Sequence, residues 1–201
     1  MLITFEGIDG CGKTTQIGLL TAYLREIGRN VLTLREPGGT EFSEKIRDLL
    51  LHSKDKLTPQ SELFLFEAAR ADLIEKVIKP ALDKGTIVIL DRFYDSTTAY
   101  QGYGRKIELS VVKEINRLAI SGLKPVITFF LDVPVEISYE RSNHRNLDKI
   151  EQSGDAFFNR VTEGYRTIAN EESERIIIID GTKEKEEIFQ IIKDKIIHLF
   201  M

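Results

Sequence analysis

Gly7-Ile8-Asp9-Gly10-Cys11-Gly12-Lys13-Thr14 is the stretch that decides the fold. It follows a short apolar run, 2–5, and opens a segment of helical period, 13–27, that stops at Gly28. A glycine-rich loop between strand and helix, closing on Gly-Lys-Thr, is a phosphate-binding loop (P-loop). Glycines let the backbone curl so that successive N–H groups point at phosphate oxygens. The helix N-terminus adds positive partial charge. Lys13 is placed to reach the β- and γ-phosphates of a nucleoside triphosphate, and the Thr14 hydroxyl to join a Mg²⁺ shell. The expected triphosphate site is Gly7, Ile8, Asp9, Gly10, Cys11, Gly12, Lys13, Thr14 and Thr15.

Outward from the loop, four more apolar runs, 31–34, 86–90, 126–131 and 176–179, read as strands. They are nearly continuously apolar, as strands buried on both faces of a parallel sheet are. Helical segments alternate with them: 41–51, 60–82, 108–121, 134–143, 156–172 and 183–200. Pro80 is expected to kink or break the long one. Alternation of this kind places crossover helices on both faces. The expected fold is α/β, a three-layer P-loop NTPase with a five-stranded parallel sheet, and residues 1–201 read as one domain.

Bulk properties narrow the function. The 201 residues suit one core, since single cores run to roughly 250 residues, and 42% are hydrophobic. The net charge of −4 argues against a nucleic-acid partner. The longest apolar runs fall well short of the ~20 residues of a membrane span. Met1 runs directly into the first strand with no secretory signal, and the single cysteine precludes an internal disulfide. A cytoplasmic protein is expected. His52, His144 and His198 have no metal-ligand spacing, so zinc is not expected. Neither a Gly-x-Ser-x-Gly elbow nor the Asn-Lys-x-Asp signature of GTPases occurs.

Further motifs sit where strands end. Ligands bind outside the carboxyl ends of parallel strands, and Asp91-Arg92 closes the third run. Asp91 is suited to orient Mg²⁺ and Arg92 to clamp phosphoryl oxygens. Arg35-Glu36-Pro37-Gly38-Gly39-Thr40 follows the second run, so Arg35 and Glu36 either face the same crevice or form an ordinary turn. Phe66 and Arg70 are four apart and share a helix face, suiting a base stacked beside a cation or a core Phe beside a surface Arg. The polar stretch 143–155, with Arg141 and Arg145 leading into it, reads as a segment over the site or as a solvated loop. Cys11, at a helix N-terminus, is expected to be an oxidisable thiol that blocks the triphosphate. From these residues alone the acceptor stays open: a nucleotide, a nucleoside, or none, as in a non-enzymatic regulatory module.

The whole set resembles the thymidylate kinase family. The resemblance rests on Phe5-Glu6-Gly7-Ile8-Asp9-Gly10-x-Gly12-Lys13-Thr14-Thr15-Gln16, on Arg35-Glu36-Pro37-Gly38-Gly39-Thr40, and on Asp91-Arg92-Phe93-x-x-Ser96-x-x-Ala99-Tyr100-Gln101-Gly102. It continues through Leu131-Asp132-Val133-Pro134 and Phe158-x-Arg160-Val161. It implies transfer of the γ-phosphate of ATP to thymidine 5′-monophosphate with Mg²⁺, in a homodimer. It implies Lys13, Arg92, Asp9 and a lid arginine as catalytic residues, with Arg92 bridging the two phosphate sites. Because Ile8, Asp9, Gly10 and Cys11 include no basic side chain, that arginine is assigned to Arg145 in a lid at about 141–155. The resemblance also implies Arg141 near the adenine, and Thr14 and Asp91 at the metal. Asp9, Glu36, Pro37, Phe66, Arg70, Arg92, Ser96, Thr97, Tyr100 and Gln101 would take the acceptor, with Phe66 stacked on its base.

Overall fold

Five parallel strands form one sheet: β1 (Leu2–Glu6), β2 (Val31–Arg35), β3 (Ile87–Asp91), β4 (Ile127–Asp132) and β5 (Ile176–Asp180), in the order β2-β3-β1-β4-β5. This is a computed structural model, and it describes residues 1–53, 56–142 and 150–200. The helices are α1 (Lys13–Glu26), α2 (Glu41–His52), α3 (Pro59–Leu73), α4 (Lys79–Asp83), α5 (Tyr94–Thr97), α6 (Leu109–Ile120), α7 (Val135–Ser142), α8 (Asp155–Glu171) and α9 (Lys185–His198).

Both faces of the sheet are covered, which is why the strands read as continuous apolar runs. Ile3, Phe5, Ile89 and Phe129 pack in a cluster with Ile17, Leu20 and Leu24 of α1 and Ile188, Ile192 and Ile196 of α9. Leu2, Val88 and Leu90 alternate with them and meet Leu73, Ile74, Ile78 and Ile120. Where a strand carries a polar residue inward it is paired: the Thr4 and Thr128 hydroxyls are 2.7 Å apart.

Register brings the ends together. Phe5 pairs with both Asp91 and Phe129, and Arg35 with Asp91. The loop after the central strand β1 therefore emerges between the ends of β3 and β4. Crossovers leave β1 toward β2 and leave β3 toward β4, so the topological switch point, where α/β sheets bind ligands, falls at this loop.

Two elements differ from the sequence reading. The long helical pattern does not break at Pro80; a π-helical turn, Ile74–Ile78, joins α3 to α4 one turn earlier. Proline lacks the N–H that the regular ladder needs and its ring crowds the preceding turn, and the wider turn absorbs both effects. The second is unforeseen: α5 runs into a π-helical turn, Thr98–Gly104, across a stretch with two glycines and β-branched Thr97 and Thr98. Local propensity opposes a helix there, and burial of Thr97, Ala99, Tyr100 and Gln101 overrides it.

Candidate active site

Two clefts open at the carboxyl edge of the sheet. The larger, about 1210 Å³, is lined by Asp9 through Gln16, Asp91 and Arg141, and by Gly181 through Lys185 and Ile188. The smaller, about 670 Å³, is lined by Asp9, Glu36, Pro37, Arg47, Leu51, Phe66, Arg70, Arg92, Ser96, Thr97, Tyr100, Gln101 and Ile150. All ten residues expected at an acceptor lie on the smaller cleft, drawn from four separate stretches of chain. Of the residues expected at the triphosphate, Asp9 to Thr15 and Arg141 line the larger cleft. Gly7 and Ile8 do not; Ile8 is core, 2% exposed. Gly7, at φ 134°, backs onto β4, where an added Cβ would stand 2.7 Å from the Leu131 carbonyl oxygen.

Lys13 folds over the loop it follows. Its Nζ donates to the carbonyls of Gly7 at 3.0 Å and Ile8 at 3.1 Å, and stands 4.0 Å from Asp91 Oδ1. Thr14 and Asp91 share this wall. The surroundings of Cys11 do not favour the reactive thiol expected of it. It is 1% exposed, and burial pushes its pKa up against the pull of Lys13 and Arg92. Desolvation of a thiolate outweighs the helix terminus here.

Arg92 stands where the clefts meet. Its backbone is left-handed, φ 71°, a conformation that costs a non-glycine residue about 1–2 kcal/mol. Strain of this kind persists where the surroundings fix it. Nη1 donates to Ser96 Oγ and Tyr165 OH, both at 3.2 Å; Nη2 donates to Asp9 Oδ1 and Tyr100 OH, both at 3.1 Å. The guanidinium lies 4.9 Å from the Tyr100 ring centroid. Burial opposes its charge, but Tyr100 and Asp9 hold its pKa above the ordinary arginine range. Behind it, Glu6 accepts from Phe93 N, Ser96 Oγ and Tyr165 OH at 2.7, 2.6 and 2.9 Å. Burial, with Asp95 adding to it, lifts the Glu6 carboxyl to about 7.

Arg70 is 2% exposed. Nε donates to Glu36 Oε2 at 2.7 Å, and Nη1 to Thr97 Oγ1 at 2.9 Å and to Glu67 Oε1. Burial lifts the Glu36 carboxyl to about 7 in spite of Arg70, and among the described residues its Oε1 has no hydrogen-bond partner. Arg35 does not share this crevice. It turns outward to the exposed Glu44, 3.0 Å away, because successive strand residues point to opposite faces. Arg145 lies outside the described residues, as does the 143–149 part of the polar stretch.

Ile150, in the smaller cleft, belongs to the stretch 143–155 read as a segment over the site, but sequence reasoning missed Arg47 and Leu51 there and Tyr165 behind it. For these no local signal exists. It also missed Gly181 to Lys185, which follow the end of β5; the rule that located Asp91, applied once more, finds them. Arg141 Nη1 donates to the Gly181 carbonyl at 2.8 Å, and Gln16 Nε2 to that of Lys185 at 2.9 Å, closing that side of the larger cleft.

Comparison with known proteins points one way. The model of the family described as Thymidylate kinase matches residues 5–192. A thymidylate kinase of Prosthecochloris aestuarii (strain DSM 271 / SK 413) is 50% identical, with 98% of this chain and 92% of the relative covered. One of Chlorobaculum parvum (strain DSM 263 / NCIMB 8327) is 52% identical, covering 94% and 91%. The crystal structure of thymidylate kinase from Ehrlichia chaffeensis superposes with a TM-score of 0.80 at 39% identity, with 98% of both chains covered.

Proposed function

Since the chain belongs to the thymidylate kinase family, we propose how its two clefts divide the reaction it catalyses. That reaction transfers the γ-phosphate of ATP to thymidine 5′-monophosphate, giving the diphosphate. ATP takes the larger cleft, with its phosphates on the loop and Arg141 near the adenine. The monophosphate takes the smaller. The observation that carries this division is that Asp9, among the described residues, alone lines both clefts, with Arg92 bonded to it at 3.1 Å.

In the acceptor cleft Phe66 stacks on the base. Arg70, its Nε and Nη1 held by Glu36, Glu67 and Thr97, turns Nη2 to the base. Ser96, Thr97, Tyr100 and Gln101 line the nucleoside beside Pro37. Glu36 Oε1, buried and without a partner among the described residues, is there to accept from a donor on the nucleotide. The acceptor phosphate is already an anion, so little proton transfer is needed. Catalysis is the holding of two anions in line and the neutralising of charge on the moving group. Lys13 and Arg92 supply cations there, and Asp9 orients Arg92. The loop positions Ile8 to Cys11 contain no basic side chain, so a further cation is assigned to Arg145.

The donor set of the larger cleft fits Mg²⁺: a Thr14 hydroxyl and an Asp91 carboxylate, hard oxygens on one wall. Mg²⁺ takes one or two carboxylates and completes its shell with water and phosphate. When bound, it would neutralise charge on the β- and γ-phosphates.

A homodimer is supported by exposed apolar residues on three neighbouring helices: Phe42 and Leu49 of α2, Phe64 of α3, and Val111 and Leu118 of α6. Solution mass by light scattering tests it. Residence in the cytoplasm is supported by the substrates and by the free Cys11; no described helix is long and apolar enough to cross a membrane.

The decisive experiment measures ADP formation from ATP with thymidine, thymidine 5′-monophosphate, deoxyuridine 5′-monophosphate or a purine monophosphate as acceptor. Thymidine 5′-monophosphate should stimulate turnover most. Loss of one methyl should cost about 10–200-fold in kcat/KM, and the purine more. A panel in which no acceptor stimulates turnover contradicts the assignment.

A further inference from the structure

Arg105 lies just beyond the acceptor cleft and does not line it, yet its contacts lead to three residues that do. Its backbone N–H donates to the Tyr100 carbonyl at 2.8 Å, fixing it at the end of the π-helical turn. Nε and Nη2 each donate at 3.0 Å to a different oxygen of Glu62, the two-pronged geometry that a guanidinium favours with a carboxylate. Glu62 is 7% exposed, and its Oε1 also accepts from Gln101 Nε2 at 2.8 Å. The Gln101 amide thus commits one of its two N–H donors to Glu62. The remaining prong, Nη1, donates to Ser153 Oγ at 3.0 Å. Ser153 N in turn donates to the carbonyl of Ile150 at 3.0 Å. The guanidinium also stacks 4.5 Å over the Phe157 ring, and Phe157 packs edge-on against Tyr100 at 6.0 Å.

Gln101, Ile150 and Tyr100 all line the cleft, and they come from segments some fifty residues apart. A simple ion pair would need only the Glu62 fork. The reach to Ser153 adds nothing to charge balance; it ties the turn Glu151–Ser153 to the wall that holds Gln101. Arginine alone can do both, because its donors form a rigid fork with a prong to spare.

We propose that Arg105 is a positioning residue of the acceptor cleft, holding Gln101 through Glu62 and Ile150 through Ser153. The inference rests on the assignment of this cleft to thymidine 5′-monophosphate. Among the described residues, no contact of Arg105 is to the lining of the ATP cleft, so its loss should act on one substrate.

The test is steady-state kinetics on purified Arg105→Ala, Arg105→Lys and Ser153→Ala, each compared by circular dichroism and melting temperature with the parent chain. Arg105→Ala should raise KM for thymidine 5′-monophosphate about tenfold or more, the equivalent of one charged hydrogen bond. KM for ATP should stay within about twofold and kcat should change little, as for an interaction equal in ground and transition states. Arg105→Lys keeps the charge but not the fork. It should not restore the acceptor KM, whereas a purely electrostatic role would be rescued. Ser153→Ala, which leaves the ion pair whole, should raise the acceptor KM about threefold. An unchanged acceptor KM in the folded variants, or an equal rise in KM for ATP, overturns the proposal. If Arg105→Ala does not fold, the other two decide in the same way. Failure of the parent chain to phosphorylate thymidine 5′-monophosphate would instead refute the cleft assignment itself.

Discussion

Arg92→Lys keeps the charge where the two clefts meet and removes the planar fork, so its effect isolates geometry. The wild-type guanidinium donates from two nitrogens to four oxygens: Ser96, Tyr165, Asp9 and Tyr100. A lysine ammonium carries three donors on one nitrogen and cannot span the same positions. Taking two charged hydrogen bonds from this fork to phosphoryl oxygens as lost in the transition state, at about 1.5 kcal/mol each, the barrier rises by about 3 kcal/mol. At 1.36 kcal/mol per decade, that is about a 10²-fold fall in kcat. The left-handed backbone at φ 71° is common to both proteins, so its strain cancels. Stability should fall by only about 1 kcal/mol, because Tyr165 and Ser96 keep their bonds to Glu6 and Asp9 is partly solvated. The assay is formation of thymidine 5′-diphosphate at saturating substrates, with the thermal midpoint as the control for folding. A folded variant with kcat within about threefold of wild type would refute the role given to the fork.

Lys13→Ala should lower kcat by at least ~10²-fold, as loss of a transition-state donor does; single-turnover measurement separates this from slow product release. Cys11, buried beneath the loop, should resist iodoacetamide in the native protein and react fully in denaturant, read by intact mass; rapid native labelling contradicts its burial. Gly7→Ala, with a Cβ 2.7 Å from the Leu131 carbonyl oxygen and 2.8 Å from Cys11 Sγ at φ 134°, combines overpacking with a left-handed penalty. It should cost about 3 kcal/mol by urea unfolding, and a loss under about 1 kcal/mol shows that the loop can yield. The Glu36 carboxyl, faced by Arg70 and Glu67, is lifted by burial from 4.5 to about 7. The folded state therefore holds a proton that the unfolded chain releases, and this contribution is present below 4.5 and lost as pH rises to about 7. Glu36→Gln, which does not titrate, should gain stability relative to wild type between about pH 5 and about pH 8, and urea midpoints that stay parallel contradict this sign.

How much of this was legible in the sequence follows from the range of the forces involved. The loop, the helix behind it and the five strands are local matters. Glycine conformations and apolar runs are set by neighbours along the chain, and these elements appear where the pattern placed them, within a residue or two. Asp91, Arg92 and Glu36 were legible as well, because a strand's end is a local feature and ligands gather there. Local reasoning failed where tertiary packing opposed propensity. The turn Thr98–Gly104 is helical against its glycines, because Tyr100 and Gln101 are buried from outside. Arg35 turned away from the site, since the pleat and Glu44 decide its direction. Cys11 is buried, and its pKa is pushed up by desolvation that only the folded core imposes. Sequence alone thus determined a phosphate loop on a parallel sheet and most of the residues around it. The family resemblance implied Arg92 between two phosphate sites; only the tertiary structure determined its bond to Asp9, which lines both clefts, and the reach of Arg105 to Glu62 and Ser153. Those contacts link residues up to 83 positions apart, and no pattern of neighbours encodes a distance across the sheet.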